Sequence, residues 1–115
     1  MIPKKNRFTG NNTIARVYKT ARPLRSGNFN IRVKKNASGE YRLAVVVSKK
    51  VSKSAVVRNR IRRRVFEYAR KNISGSPQIV GREIIITVFE ESVAADSTEN
   101  LSEQLEKLFK KAGLK

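Results

Sequence analysis

The sequence predicts an α/β protein: a single-domain, two-layer sandwich with element order α-β-β-α-β-α. Three observations carry that expectation. Residues 28–34 alternate apolar and polar side chains with a period of two, as half-buried strands do, and residues 41–48 read as the next strand, with Tyr41, Leu43, Val45 and Val47 on one face. Residues 12–21, 54–72 and 97–112 repeat their apolar side chains at helical spacing. Residues 83–89 form a β-branched apolar run, the pattern of a strand covered on both faces. With 115 residues, 39% of them hydrophobic, the chain can bury one core but not two. We therefore expect one domain over residues 1–115, with residues 1–10 as a basic arm.

Each element has its own signals. Asn11 and Asn12 can cap a first helix whose Ile14, Val17, Tyr18 and Ala21 share a face, and Pro23 ends it. Phe29, Ile31 and Val33 then point one way, while Asn30, Arg32 and Lys34 point the other. A turn over Lys35–Gly39 leads to the strand Tyr41–Ser48, with Tyr41, Leu43, Val45 and Val47 on one face, and the two strands are expected to pair as a hairpin. A basic loop, Lys49–Lys53, precedes a helix from about Ser54 to Asn72. Ser74-Gly75-Ser76-Pro77 breaks the chain before the strand Glu83–Phe89, which is expected at the centre of the sheet. Asp96 and Glu99 are spaced as a capping box for the last helix, with Ser97 as the alternative cap. Leu101, Leu105, Leu108, Phe109 and Ala112 form the buried stripe of that helix, and Gly113 closes it.

Charge narrows the function. Lys and Arg number 26 against 9 Asp and Glu, a formal net charge of +17. The excess is regional: residues 1–82 hold 22 bases and two acids, whereas residues 83–115 hold four bases and seven acids. Such self-repulsion points to a polyanionic partner. There is no cysteine for a disulfide or thiolate site and no histidine for proton transfer. The few acids are spread along the C-terminal third, unlike the converging carboxylates of a two-metal nuclease. No catalytic residue and no metal ligand is therefore expected from this chain. The apolar runs are too short to span a bilayer and the N-terminus lacks a secretory pattern, so a cytoplasmic protein without a membrane partner is expected.

The segment Lys49–Lys71 contains ten bases and one acid, Glu67. On a helical wheel Val57, Val65 and Tyr68 fall within about 40° of Ile61, and the four make the docking stripe. Asn59, Arg63, Phe66 and Arg70 point away from it; Arg60, Arg64 and Lys71 line one flank, and Arg58 and Arg62 the other. A solvated helix usually mixes charge signs at i,i+4, but here like charges face each other at Arg58/Arg62 and Arg60/Arg64. Arginine forks match phosphate oxygens, and an asparagine such as Asn59 can read a base edge or a 2′-hydroxyl. The faces not used for docking are thus expected to bind phosphate, with Lys49, Lys50 and Lys53 beside them. Phe66 either stacks on RNA or packs under a neighbouring loop. A ribosomal protein shares the size, charge and architecture. A DNA-binding module would need a helix-turn-helix or zinc spacing that is absent.

Ser48-Lys49-Lys50 followed by Ala55-Val56-Val57-Arg58-Asn59-Arg60-Ile61-Arg62-Arg63 resembles the signature of the bacterial ribonuclease P protein component. The basic arm, Tyr18, Phe29 and the closing Leu105–Leu114 segment fit the same family, and the likeness covers nearly the whole chain. The resemblance implies a ribonucleoprotein that removes the 5′ leader from precursor tRNA, with a catalytic RNA subunit that holds Mg²⁺ ions. It implies an α/β sandwich with a left-handed β-α-β crossover around the basic helix. Arg58, Asn59, Arg60, Arg62 and Arg63 would lie against ribonuclease P RNA. Tyr18 and Phe29 match aromatic positions of a cleft for the single-stranded leader, and Lys49, Lys50 and Lys53 match its basic rim. Tyr18 and Phe29 also lie on apolar stripes, so a plain core role stays open for both. Arg32, in the same cleft, replaces an aromatic or apolar residue of the family. Ile14, Phe66 and Phe89-Glu90-Glu91 are further departures from its pattern. The free protein is expected to be a monomer, and DNA is not an expected partner.

Overall fold

The computed structural model describes residues 21–35, 39–73 and 75–114. The basic arm and the expected first helix with Tyr18 lie outside the described residues. The strands are β1 Leu24–Ser26, β2 Phe29–Lys35, β3 Arg42–Val46 and β4 Arg82–Val88; the helices are α1 Ala55–Asn72 and α2 Thr98–Lys111. Short 3₁₀ turns span Pro77–Ile79 and Glu91–Ala94.

The sheet order is β1-β2-β4-β3. Strand β4 takes a central place, as its apolar run predicted, because both of its faces are apolar: Ile84, Ile85 and Ile86 are fully buried. It pairs antiparallel with β2, Ile31 opposite Ile86, and parallel with β3, Val45 opposite Ile86. The expected hairpin between β2 and β3 is therefore not formed. Strand β2 has a polar face in Asn30, Arg32 and Lys34 and β3 begins at the exposed Arg42, whereas Ile84, Ile85 and Ile86 make β4 apolar on both faces, so β4 takes the place between them. The hairpin that does form joins β2 to β1, a strand absent from the sequence expectation. Its loop is Gly27-Asn28, with Gly27 at φ +59°, the positive φ that a type II′ turn needs at its first central position. A side chain at Gly27 would also meet Gln104 Oε1 at 3.2 Å.

The parallel β3–β4 pair requires a crossover, and α1 supplies it. Ser54 caps α1 by accepting from the Val57 N–H at 3.3 Å. The helix buries Ile61, Val65, Tyr68 and Ala69, with Val57 packed at the edge, which is the stripe the spacing predicted. Ser97, the alternative cap, opens α2 by accepting from the Asn100 N–H at 3.1 Å. Asp96 instead accepts from Ser97 N–H, Asn100 Nδ2 and Gln104 Nε2. Leu101, Leu105, Leu108 and Phe109 are buried, and Gly113 (φ +75°) turns the chain so that Leu114 N–H reaches the Phe109 carbonyl at 2.9 Å. Lys111 Nζ donates to the Arg25 carbonyl at 2.8 Å, tying the end of α2 to β1.

Both helices share one core with a single sheet face: Phe29, Ile31, Leu43, Val45, Ile84, Ile86 and Val88 pack with the apolar stripes of α1 and α2. Tyr68 stacks on Phe109 with centroids 5.8 Å apart and an interplanar angle of 12°. The opposite sheet face has a smaller apolar patch, Ala44 and Ile85 with Ala21 and Val46.

Ile61→Ala should destabilise the protein by about 2–5 kcal/mol in urea unfolding, because it opens a cavity where α1 meets the sheet. Burial first, and the charge of Glu106 second, push the Tyr68 phenol up to about 12. A raised pKa means that this group's contribution to stability is present below the unfolded-state value near 10 and is lost as pH rises from there through about 12. A spectrophotometric titration should show one tyrosine ionising late, together with alkaline unfolding.

Candidate nucleic-acid interface

The N-terminus of α1 is built together with the basic loop that precedes it. Val51 and Ser52 N–H groups donate to the Ser48 carbonyl at 3.1 and 3.4 Å, and Ser54 N–H donates to Ser52 Oγ at 3.2 Å. Arg58 Nη1 donates to the Ser52 carbonyl at 2.8 Å. The loop is thus folded back on the helix start, with Ser52 buried and Lys49, Lys50 and Lys53 exposed around it. No acid occupies the first turn of α1. The positive end of the helix dipole and the nearby cations therefore add, which is unfavourable in isolation and attractive to a phosphate.

Along the exposed faces the arginines divide by what they touch. Arg60 and Arg63 are exposed, and among the described residues nothing hydrogen-bonds them. Arg62 donates through Nη2 to Asn59 Oδ1, which leaves the Asn59 amide N–H groups as donors. Arg70 pairs with Glu67 at 3.0 Å, and that hydrogen bond is the main reason the Glu67 carboxyl is held down at about 2.

Arg64 is different. Its Nη1 donates to the Val93 carbonyl and its Nη2 to the Asp96 carbonyl, both at 2.6 Å. The fork holds the 3₁₀ turn and the approach to α2 against α1, so Arg64 is a tertiary clamp and not part of a free phosphate-binding flank. Phe66 packs, half-buried, against the main core, the packing alternative of the two readings and not RNA stacking.

The expected leader cleft is only partly brought together. Phe29 is fully buried on the helix-covered face, where Ile31 and Val88 hold it, so it cannot present its ring to RNA. Arg32 is on the opposite face, half-buried, with Lys34 on the same side and Ile85 as its cross-strand partner. Tyr18 lies outside the described residues. Sequence reasoning missed Phe89, which the strand period places on the face of Ile85 and Thr87. The Arg25 guanidinium sits 4.3 Å from the Phe89 ring centroid, a cation–π pair. At the other end of β4, Arg42 Nη1 approaches Glu83 at 3.7 Å. Among the described residues, no three His, Cys, Asp or Glu side chains come together to hold a metal ion.

One α/β layer pair carrying an arginine helix on one face and a separate cationic sheet face defines an RNA-binding protein. Residues 2–113 match the sequence model of the family described as Ribonuclease P. The ribonuclease P protein component of Synechocystis sp. is 32% identical over 115 residues, covering 98% of this chain and 90% of its own. That of Prochlorococcus marinus is 28% identical over 125 residues, covering 98% of each. The RNase P protein from Staphylococcus aureus superposes with a TM-score of 0.78 at 25% identity, over 95% of this chain and 96% of its own. The Thermotoga maritima RNase P protein, at 24% identity, shares the fold with a TM-score of 0.77 over 91% of this chain. The chain belongs to the family of ribonuclease P protein components, the protein partners in a ribonucleoprotein endoribonuclease of tRNA processing.

Arg64→Ala should lower stability by about 1.5–3 kcal/mol, the range for hydrogen bonds to a charged group. Arg64→Lys should not restore it, since one ammonium cannot span two carbonyls as a fork does. Arg60→Ala should stay within about 0.5 kcal/mol of the parent in the same thermal unfolding assay.

Proposed function

We propose that this chain is the subunit that docks ribonuclease P RNA through α1 and contacts the 5′ leader of precursor tRNA on the opposite sheet face. The complex removes the leader by endonucleolytic cleavage and leaves the mature tRNA 5′ end. The observation that carries the reading is the exposed, unneutralised cation set Lys49, Lys50, Lys53, Arg60 and Arg63 around the start of α1, in a chain of this family. Such phosphate contacts give affinity with little sequence preference, which suits an enzyme that processes many tRNAs. Arg58 and Arg62 extend the same surface, and the Asn59 amide supplies donors for a 2′-hydroxyl or base edge.

On the sheet face the leader lies across Arg32 and Lys34 towards the Arg25–Phe89 pair. An aromatic ring beside cations binds single strands with sequence tolerance, at roughly 1–3 kcal/mol per stacked base. The chain's residues bind and orient; Mg²⁺, held mainly by the RNA, supplies the activated water. We infer further that the protein works in the cytoplasm and is a monomer when free of RNA, since a net charge of +17 makes copies repel one another.

Reconstitution with a bacterial ribonuclease P RNA should accelerate leader removal at low Mg²⁺. Equal rates with and without the protein at every Mg²⁺ concentration would remove this reading. Arg60→Ala combined with Arg63→Ala should weaken RNA binding and reduce the log–log salt slope by about two, one for each lost phosphate contact. An unchanged slope would take α1 out of the interface.

A further inference from the structure

The C-terminal half of α1 and the first turns of α2 enclose a groove of about 280 Å³ that shares Arg63 with the docking face and is otherwise used by neither the docking face nor the leader face. Its floor is Tyr68 and Leu101, its α1 rim carries Arg63 and Lys71, and its α2 wall carries Thr98 and Ser102. Arg63 and Lys71 are exposed. Glu67 also lines the groove, but its carboxylate is paired with Arg70 and so offers little repulsion to an anion.

Three features decide the occupant. The rim is cationic, so the ligand is an anion. The volume lies just below the lower end of ligand clefts, about 300 Å³, and a helix about 10–12 Å across would not enter. Arg63 belongs both to the outward face of α1 and to this groove, so the groove continues the phosphate-binding surface. An aromatic and an aliphatic side chain under hydroxyl and cationic groups match one nucleotide: an apolar base face, a hydrogen-bonding edge and a phosphate.

We propose that the groove between α1 and α2 takes one unpaired nucleotide of the partner RNA, its base against Tyr68 and Leu101 and its phosphate between Arg63 and Lys71. This rests on the reading of α1 as the docking helix for ribonuclease P RNA. It adds a point of shape recognition to an otherwise sequence-tolerant surface, because only an RNA with a bulged or looped nucleotide at the right distance from the α1 contacts fills it. The Arg64 clamp holds the two walls in place.

The chain contains no cysteine, so a single Thr98→Cys carries an azidophenacyl group at the groove wall without other labelling. Irradiated in the complex of the full chain with ribonuclease P RNA, it should crosslink to one or two unpaired nucleotides. Ser102→Trp, which fills the groove and leaves every cation in place, should weaken RNA binding about tenfold with unaltered thermal unfolding. If Ser102→Trp misfolds, Lys71→Gln gives the second measurement, with affinity about threefold lower and a reduced crosslink. Crosslinks to base-paired nucleotides, to protein, or none in a complex shown to be bound would overturn the inference, as would full affinity in Ser102→Trp or, where that variant misfolds, in Lys71→Gln. In those cases the docking role of α1 stands. If the unmodified chain fails to bind the RNA at all, both fall together.

Discussion

The burial of β4 on both faces is the constraint from which the rest follows. Ile84, Ile85 and Ile86 leave no side of that strand for water, so it has neighbours on both edges and cover on both faces. One neighbour, β3, runs parallel to it, and parallel neighbours cannot be joined by a tight turn. A helix must make the crossing, and α1 is that helix. Its apolar stripe is narrow and is used up against the core, which leaves Lys and Arg nowhere to go but outward. The cationic surface is thus a result of topology as much as of composition.

Electrostatics then separates side chains of one type into several roles. Arg58 braces the loop before the helix, Arg64 braces the segment before α2, and Arg70 is neutralised by Glu67. Arg60 and Arg63 remain open to solvent. The first turn of α1 lacks the acid that would suit its dipole. The protein therefore keeps a local electrostatic penalty that an RNA phosphate relieves, and affinity arises partly from that relief. Braced arginines and a capped helix start also lose less freedom on binding than a flexible basic tail would.

Elements whose signals are periodic were legible in the sequence. Val57, Ile61, Val65 and Tyr68 on α1, and Leu101, Leu105, Leu108 and Phe109 on α2, are buried as their spacing requires, and the β-branched run of β4 lies centrally in the sheet. Pairing was less legible, because alternation says that a strand is half-buried but not which strand lies beside it. The β2–β3 hairpin was the economical choice by chain distance, and β4 displaced it. Strand β1 has only three residues and too little pattern to register, though Gly27-Asn28 carried the turn. The site was legible as charge and partly mistaken in detail. Phe29 obeys the strand period and faces inward with Ile31, whereas Phe89, beyond the end of β4, stands half-buried under the Arg25 guanidinium. Arg64 resembles its neighbours in sequence, and its partners, the carbonyls of Val93 and Asp96, are brought close only by tertiary folding.

The Arg64 fork has a consequence for how this surface tolerates change over generations. Cations that act through a shared field are interchangeable: one lost from the run is compensated by another gained a turn away, because the field sums over positions. A bidentate grip on two fixed carbonyls has no such redundancy, since among the described residues Arg64 is the α1 side chain that hydrogen-bonds that pair. Within a single arginine-rich run, sequence drift is therefore free to reshuffle most of the positive charge while one position is pinned by geometry.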